Sequence, residues 1–218
     1  EPPSRGFVIL GKNMRTTETP VVGRQLETRA QELRSVIAST QVTDTSGKRL
    51  ETEEAILQIL DLLCDLRRLE GGLYLVGNGG SAAVASHTVT DFLKAGRLRA
   101  MTLHDSSLIT CMSNDYGYEN AFARVLSTLV KPHDVLIAIS SSGQSKNICN
   151  AAERVRELDG TVITLSGFKS DNPLRALGHF NVWLDSCDYG MLEIGHQFVL
   201  HNITDRLSAE SGSADVRG

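Results

Sequence analysis

From Gly71 onward the chain alternates short apolar segments with longer segments of helical periodicity, and this alternation constrains the fold more than any other feature. Apolar segments of strand length occupy 73–76, 100–103, 135–139, 162–165 and 181–184. Helical patterns begin at Ser81 and cover 106–113, 119–130, 145–158 and 191–209. Strand–helix alternation of this kind is typical of a parallel sheet covered by helices on both faces. The sequence therefore predicts an α/β fold, a three-layer αβα sandwich on five parallel strands.

Two further helical segments precede this alternation. Apolar residues recur at helical spacing over 25–37, and again over 51–69, whose apolar side carries Ile56, Ile59, Leu60, Leu63 and Leu66. The segment 39–48 between them is polar and predicts a link with a turn at Ser46-Gly47. We interpret 23–210 as a single domain that includes both helices, with tails at 1–22 and 211–218.

Composition and charge exclude several classes of function. With 22 basic and 26 acidic residues, the formal net charge is −4, so no basic surplus is available for a nucleic-acid backbone. The longest apolar runs, such as 135–139, are of strand length, and we expect no membrane span. The four cysteines lie far apart without a Cys-x-x-Cys pair, and the sequence opens without a basic region followed by an apolar run. We therefore expect reduced thiols and a cytoplasmic protein that binds neither nucleic acid nor membrane.

The first predicted strand is followed by a glycine-rich loop that opens a helix. This loop reads Gly77-Asn78-Gly79-Gly80-Ser81, and its three glycines allow a ligand to approach the backbone while Asn78 and Ser81 offer hydrogen bonds. It matches neither the dinucleotide-binding fingerprint nor a Walker loop. Taken alone, the loop fits a tight strand-to-helix turn equally well. In a parallel sheet, however, ligands bind beyond the carboxyl ends of strands, which is where this loop lies.

A second loop at the same edge is rich in serine. It comprises Ser140, Ser141, Ser142, Gly143, Gln144 and Ser145. Four hydroxyl groups and the free N–H groups of a helix N-terminus can hold an anion without a basic residue. Helix capping by Ser145 is the alternative interpretation, but a cap needs one serine rather than four. The surplus favours a small phosphorylated ligand.

Histidine and carboxylate residues share faces on two helices. His87 and Asp91 are four residues apart on the helix opened by the first loop. Glu193, Gln197 and His201 lie at successive intervals of four on the last helix. Two such pairs are frequently solvent-exposed helix faces, but together they also suit a site for Zn²⁺, Mn²⁺ or Fe²⁺.

The pair of loops resembles those of the SIS (sugar isomerase) domain, and the sequence is most similar to its phosphoheptose isomerases. The resemblance extends over about 26–207 and includes Ser113-Asn114-Asp115-Tyr116-Gly117 and the histidine-containing last helix. It implies a flavodoxin-like sheet, a homotetramer with active sites near subunit interfaces, and one Zn²⁺ per site.

The resemblance also implies roles for particular residues. Substrate would be bound by both loops, by the Asn-Asp pair and by the last helix, at Asn78, Gly79, Gly80, Ser81, Asn114, Asp115, Ser140, Ser141, Ser142, Ser145 and Glu193. The metal ligands would be His87, Asp91, Glu193 and His201, and the proton-moving groups Asp91, Glu193 and His201. The family has Glu where this chain has Asp91. The shorter side chain leaves open whether Asp91 or Glu193 is the base.

The implied function is a ketose–aldose isomerase that converts sedoheptulose 7-phosphate to D-glycero-D-manno-heptose 7-phosphate through an enediol, for the synthesis of activated heptose. The three parts match its chemistry, since the phosphate provides binding energy, a cation polarises the carbonyl and a carboxylate or imidazole moves the proton. Two alternatives remain at this point. One is a non-catalytic SIS protein that senses sugar phosphates or assists assembly, and the other is an isomerase of another sugar phosphate.

Overall fold

A computed structural model describes residues 25–210 of the chain, so the predicted tails at 1–22 and 211–218 lie outside the described residues. The helices are α1 Leu26–Ala38, α2 Thr52–Arg68, α3 Gly80–Lys94, α4 Ser106–Tyr116, α5 Ala121–Leu129, α6 Lys146–Glu157 and α7 Tyr189–Glu210. Two short 3₁₀ helices cover Tyr118–Asn120 and Pro173–Ala176. The strands are β1 Gln41–Thr43, β2 Arg49–Leu50, β3 Gly72–Val76, β4 Arg99–Thr102, β5 Val135–Ser140, β6 Thr161–Ser166 and β7 Phe180–Trp183.

The strands form one mixed sheet in the order β2-β1-β7-β6-β5-β3-β4. Five of them, β3 to β7, are mutually parallel, which confirms the predicted parallel sheet. Counted along the chain, these five lie in the order 2-1-3-4-5, the flavodoxin-like arrangement. The chain therefore reverses its winding direction between the adjacent strands β3 and β5.

The prediction for 39–48 was wrong, because this segment contributes to the sheet rather than forming a polar link. β1 pairs antiparallel with β2 and with β7, the last of the five parallel strands, so the sheet has seven strands rather than five. The turn at Ser46-Gly47 is present, and Asp44 closes it by accepting hydrogen bonds from the Ser46 and Lys48 backbones. Strands of two and three residues are too short to show a periodicity, and the partner of β1 lies about 140 residues further along the chain.

Helices cover both faces of the sheet, which confirms the three-layer prediction. Successive strand residues point to opposite faces, so Leu73 and Leu75 pack with α2, α3 and α7, whereas Tyr74 and Val76 pack with α5 and α6. β5 is buried throughout its length. Within residues 25–210, no helix is long and apolar enough to cross a membrane.

Candidate active site

The two predicted ligand loops meet at the point where the sheet reverses its winding. The glycine-rich loop follows β3 and the serine loop follows the adjacent strand β5, so both leave the sheet at the same edge. They line a cavity of about 290 Å³. Its lining consists of Asn78, Gly79, Gly80, Ser81, Ile139, Ser140, Ser141, Ser142, Ser145, Tyr189 and Glu193. Nine of the residues predicted to bind substrate are therefore brought to one cavity.

The serine loop has one buried hydroxyl group, that of Ser141, which makes no hydrogen bond within the fold. Ser145 occupies the N-cap position of α6, but its side chain makes no capping hydrogen bond and instead accepts one from the Ser140 hydroxyl at 3.1 Å. The hydroxyl oxygen of Ser141 is buried and has no hydrogen-bond partner. A buried polar atom without a partner is costly, and an anion at the α6 N-terminus would supply one. The arrangement thus fits a phosphate group better than a helix cap.

Gly143 gives the serine loop its shape. Its φ of +63° is favourable for glycine, and its N–H donates to the Ser140 carbonyl at 2.9 Å. A Cβ at this position would overlap the amide of Asn172, which is buried behind the loop. The Asn172 side chain is held in turn by hydrogen bonds to Ser166 and to backbone carbonyls. The loop is therefore braced by a buried side chain that does not line the cavity.

The glycine-rich loop holds its asparagine side chain in place from two sides. Asn78 exchanges two hydrogen bonds with Asn147 of α6, each of 2.9 Å, and accepts a third from Tyr118 at 2.7 Å. His104, at the end of β4, accepts a hydrogen bond from the Gly77 N–H at 3.3 Å. Burial lowers the pKa of His104, which favours the neutral ring that can accept this bond. Hydrogen bonds thus hold the loop both at Gly77, where it leaves β3, and at the side chain of Asn78.

Three side chains of the kinds that ligate metals converge between α3 and α7. The Nε2 atoms of His87 and His201 are 3.2 Å apart, and Asp91 Oδ2 lies 3.5 Å from His87 Nε2 and 3.3 Å from His201 Nδ1. One ligand atom from each residue lies within 4.8 Å of the others. Asp91 Oδ2 is buried and makes no hydrogen bond. Two imidazoles and a carboxylate oxygen without a hydrogen bond fit a divalent cation, because it would satisfy all three electron-pair donors at once.

Glu193 lies between the cavity and this cluster. It is two helical turns before His201 on α7, and its carboxylate packs directly against Gly80, where a Cβ would overlap it. It lines the cavity together with the serine loop, and it also lines a neighbouring groove of about 480 Å³ together with His201. The carboxylate is not part of the converging group formed by His87, Asp91 and His201.

Comparisons with known proteins agree with this geometry. Residues 40–167 match the model of the SIS domain. The chain is 37% identical over 160 residues to the phosphoheptose isomerase of Mycobacterium bovis, covering 71% of this chain and 81% of the relative. It is 33% identical over 159 residues to that of Helicobacter pylori, covering 70% of this chain and 82% of the relative. The chain belongs to the phosphoheptose isomerases of the SIS domain family. The predicted family and enzyme class are thereby confirmed.

A solved structure supports the same membership in phosphoheptose isomerases. The enzyme from Neisseria gonorrhoeae superimposes with a TM-score of 0.67 at 26% identity, covering 83% of this chain and 91% of the other. The SIS match ends at residue 167, so it includes both loops, His87 and Asp91 but not α7. Glu193 and His201 lie on α7 outside that match, and the structure places them at the cavity and in the histidine cluster, respectively.

Two predicted substrate residues of this isomerase lie elsewhere. Asn114 and Asp115 are exposed on α4, hydrogen-bonded to each other at 2.9 Å, and do not line the cavity. Conversely, sequence reasoning missed Tyr189, which lines the cavity one helical turn before Glu193 and packs edge-on against Phe168 at 4.9 Å. Its spacing of four from Glu193 was the available signal, since it places both residues on one face of α7.

Proposed function

We propose that this phosphoheptose isomerase interconverts sedoheptulose 7-phosphate and D-glycero-D-manno-heptose 7-phosphate, and so serves the synthesis of activated heptose. The observation that supports this most directly is the position of Glu193. One carboxylate lies beside a cavity suited to a phosphate and next to a histidine cluster suited to a cation. Neighbouring positions of these three elements suit an aldose–ketose isomerase that binds a phosphate, polarises a carbonyl and moves a proton between adjacent carbons.

The serine loop binds the phosphate in this proposal. The cavity is lined at the N-terminus of α6 by Ser140, Ser141, Ser142 and Ser145, and Ser81 contributes from the glycine-rich loop. The phosphate is remote from C1 and C2, so its binding energy orients the reacting carbons without taking part in the chemistry. Gly79 and Gly80 line the same cavity and have no side chain of their own, so the sugar hydroxyls can approach the backbone there.

Proton transfer falls to Glu193 and His201. A base removes a proton from C1 of the ketose, which produces an enediol, and the proton is returned to C2 while the carbonyl moves to C1. Glu193 faces the cavity directly, whereas Asp91 lies within the histidine cluster. We therefore assign proton abstraction to Glu193 and metal binding to Asp91, with His201 moving the hydroxyl proton. Of the two candidate bases that the sequence leaves open, Asp91 and Glu193, we thus propose Glu193.

His87, Asp91 and His201 would hold a divalent ion, which we propose is zinc, with Glu193 within reach as a further ligand. When bound, the ion would polarise the substrate carbonyl. All three side chains are partly exposed, and His201 also lines the groove beside Glu193.

The decisive experiment measures metal content and turnover together. Purified protein should contain close to one zinc per chain and isomerise sedoheptulose 7-phosphate, and exhaustive chelation should abolish the activity. In a panel of pentose, hexose and heptose phosphates, the heptose should have the highest kcat/KM. A higher kcat/KM for a pentose or hexose phosphate would contradict the heptose assignment and indicate an isomerase of that sugar phosphate. Absence of turnover for the whole panel would favour a non-catalytic sugar-phosphate-binding role.

The variant His87→Ala tests the metal assignment. His87 acts as a ligand only, so the variant should lose zinc and most of its activity, and excess zinc should partly restore both. The variant His133→Asn, a histidine substitution at an exposed position outside the site, provides the control. Full activity of metal-free wild-type protein would contradict the proposal.

We also propose a homotetramer with active sites near subunit interfaces, in the cytoplasm. Two apolar surfaces support the assembly. None of the residues of α1 is buried, and its apolar stripe includes Leu26, which is 87% exposed. The groove beside His201 carries Ile194 and Phe198, each more than half exposed. The four cysteines form no disulfide within residues 25–210, which is in line with a reducing compartment. A monomer in light scattering at micromolar concentration would contradict the assembly.

A further inference from the structure

A reciprocal amide pair joins the two ligand loops directly. Asn78 Nδ2 donates to Asn147 Oδ1 and Asn147 Nδ2 donates to Asn78 Oδ1, each over 2.9 Å. Asn78 belongs to the glycine-rich loop after β3, whereas Asn147 is the second residue of α6, immediately after the serine loop. Asn147 is 2% exposed. The pair therefore joins two segments that are 69 residues apart in the chain through two partly buried hydrogen bonds.

The pair leaves Asn78 little capacity to bind anything else. Its Oδ1 also accepts a hydrogen bond from the Tyr118 hydroxyl at 2.7 Å, so both lone pairs of this oxygen are engaged. One of its two amide hydrogens is donated to Asn147, which leaves one for a ligand. Because most of its hydrogen-bonding capacity is taken up within the protein, the Asn78 side chain is better suited to holding a loop in position than to binding a sugar hydroxyl.

We propose that Asn147 is a positioning residue that, through Asn78, sets the separation between the glycine-rich loop and the serine loop. The proposal rests on the proposed function, because it assumes that a sugar phosphate spans both loops. Phosphate is held mainly by the serine loop, whereas the sugar and the reacting carbons lie between that loop and Glu193, which packs on Gly80 of the other loop. The loop separation therefore matters for the whole substrate and much less for phosphate alone.

α6 provides a matched control for this role. Asn150 lies one turn after Asn147 and is also hydrogen-bonded through its amide, but to the Glu119 carbonyl and the Asn120 side chain instead of the glycine-rich loop. The variants Asn147→Ala and Asn150→Ala each remove an asparagine amide from the same helix. Only the first one disconnects the two loops. Without Asn147, the Asn78 side chain keeps only the hydrogen bond from Tyr118.

The experiment compares kcat/KM for sedoheptulose 7-phosphate with the dissociation constant of inorganic phosphate, measured by calorimetry. In Asn147→Ala we expect kcat/KM to fall about tenfold or more, with the phosphate dissociation constant changed by less than about threefold. Asn150→Ala should leave both close to wild type at temperatures well below its melting point. In the double variant Asn78→Ala/Asn147→Ala, the loss should be close to that of a single variant, because both changes break the same link.

Two milder variants guard against a failure to fold. Asn147→Asp keeps the size and one acceptor but loses the donor to Asn78, and Tyr118→Phe removes only the third hydrogen bond. Both should lower kcat/KM in the same direction, and Tyr118→Phe should have the smaller effect. An equal loss for phosphate and sugar phosphate, or wild-type kcat/KM in Asn147→Asp and Asn147→Ala, would overturn the positioning role.

Failure of the proposed function has a different signature. If the wild type binds sedoheptulose 7-phosphate without turning it over, the isomerase proposal fails. The positioning role of Asn147 is then tested by the dissociation constants of sedoheptulose 7-phosphate and inorganic phosphate alone. Asn147→Ala should then weaken the sugar phosphate about tenfold relative to inorganic phosphate. A wild type that binds neither ligand would overturn both proposals.

Discussion

The contact between Gly143 and Asn172 yields a prediction whose size follows from the structure. In Gly143→Ala, the new Cβ would overlap the Oδ1 and Cγ atoms of Asn172 and lie 2.7 Å from its Cβ. The whole Asn172 side chain would have to move, although it is 3% exposed and donates to Ser166 Oγ and the carbonyls of Gly167 and Lys169. The φ of +63° at Gly143 adds a backbone cost for any residue with a Cβ.

The two costs can be separated with a second glycine. A left-handed backbone costs a non-glycine residue about 1–2 kcal/mol, and overpacking of a buried site costs about 1–3 kcal/mol more. Gly47 has a similar φ of +79°, but a Cβ there would have no neighbour within 4 Å. Gly47→Ala and Gly143→Ala therefore share the backbone cost and the effect on the unfolded chain. Their difference isolates the overlap with Asn172.

We expect Gly143→Ala to be less stable than Gly47→Ala by about 1–3 kcal/mol. For a chain of this length, that corresponds to a melting point lower by roughly 2–12 °C. Circular dichroism during thermal and urea unfolding measures the stability, and calorimetry measures phosphate affinity, which should fall only in Gly143→Ala. If the two variants unfold together and bind phosphate equally well, Asn172 does not brace the serine loop.

Three further predictions concern other parts of the fold. Gly80→Ala should fold normally but lower kcat several-fold, because its Cβ displaces the flexible Glu193 carboxylate; unchanged kcat would remove Glu193 from catalysis. Burial lowers the pKa of His196 from 6.5 to about 4, so between these pH values the unfolded chain binds more protons than the folded one. The free energy of unfolding therefore includes the full contribution of neutral His196 above pH 6.5 and decreases as the pH falls toward 4. Urea unfolding should show that the free energy of unfolding falls by roughly 3 kcal/mol between pH 6.5 and pH 4. His196→Gln should reduce this dependence of stability on pH, and an identical dependence in the variant would contradict the role of His196. The buried amide of Asn181 is hydrogen-bonded to Thr164 and to the carbonyls of Thr43 and Asp44. Asn181→Ala should therefore lower the free energy of unfolding by about 2–4 kcal/mol and make the β1–β2 hairpin more sensitive to proteolysis. A variant as resistant to protease as the wild type would refute this prediction.

Local patterns determined the elements and the layers of this protein. The apolar segments at 73–76 and 135–139 predicted strands β3 and β5, and the alternation with helices predicted parallel pairing, because burial on both faces of a strand depends on residues close together in the sequence. Parallel strands place their following loops at one edge, so the proximity of the glycine-rich and serine loops was also predictable. The spacing of His87 and Asp91 on one helix face belongs to the same class of inference.

Only the tertiary structure decided which of these local features meet, and at what distance. His87 and His201 are 114 residues apart, and their contact depends on how α3 packs against α7, which no local periodicity specifies. The same holds for the pairing of β1 with β7 and for the Asn78–Asn147 pair, each formed across a long stretch of chain. A side chain's own sequence neighbourhood sets whether it is buried or exposed in a helix or strand. Its partner is selected by the packing of the whole domain, which depends on every element at once.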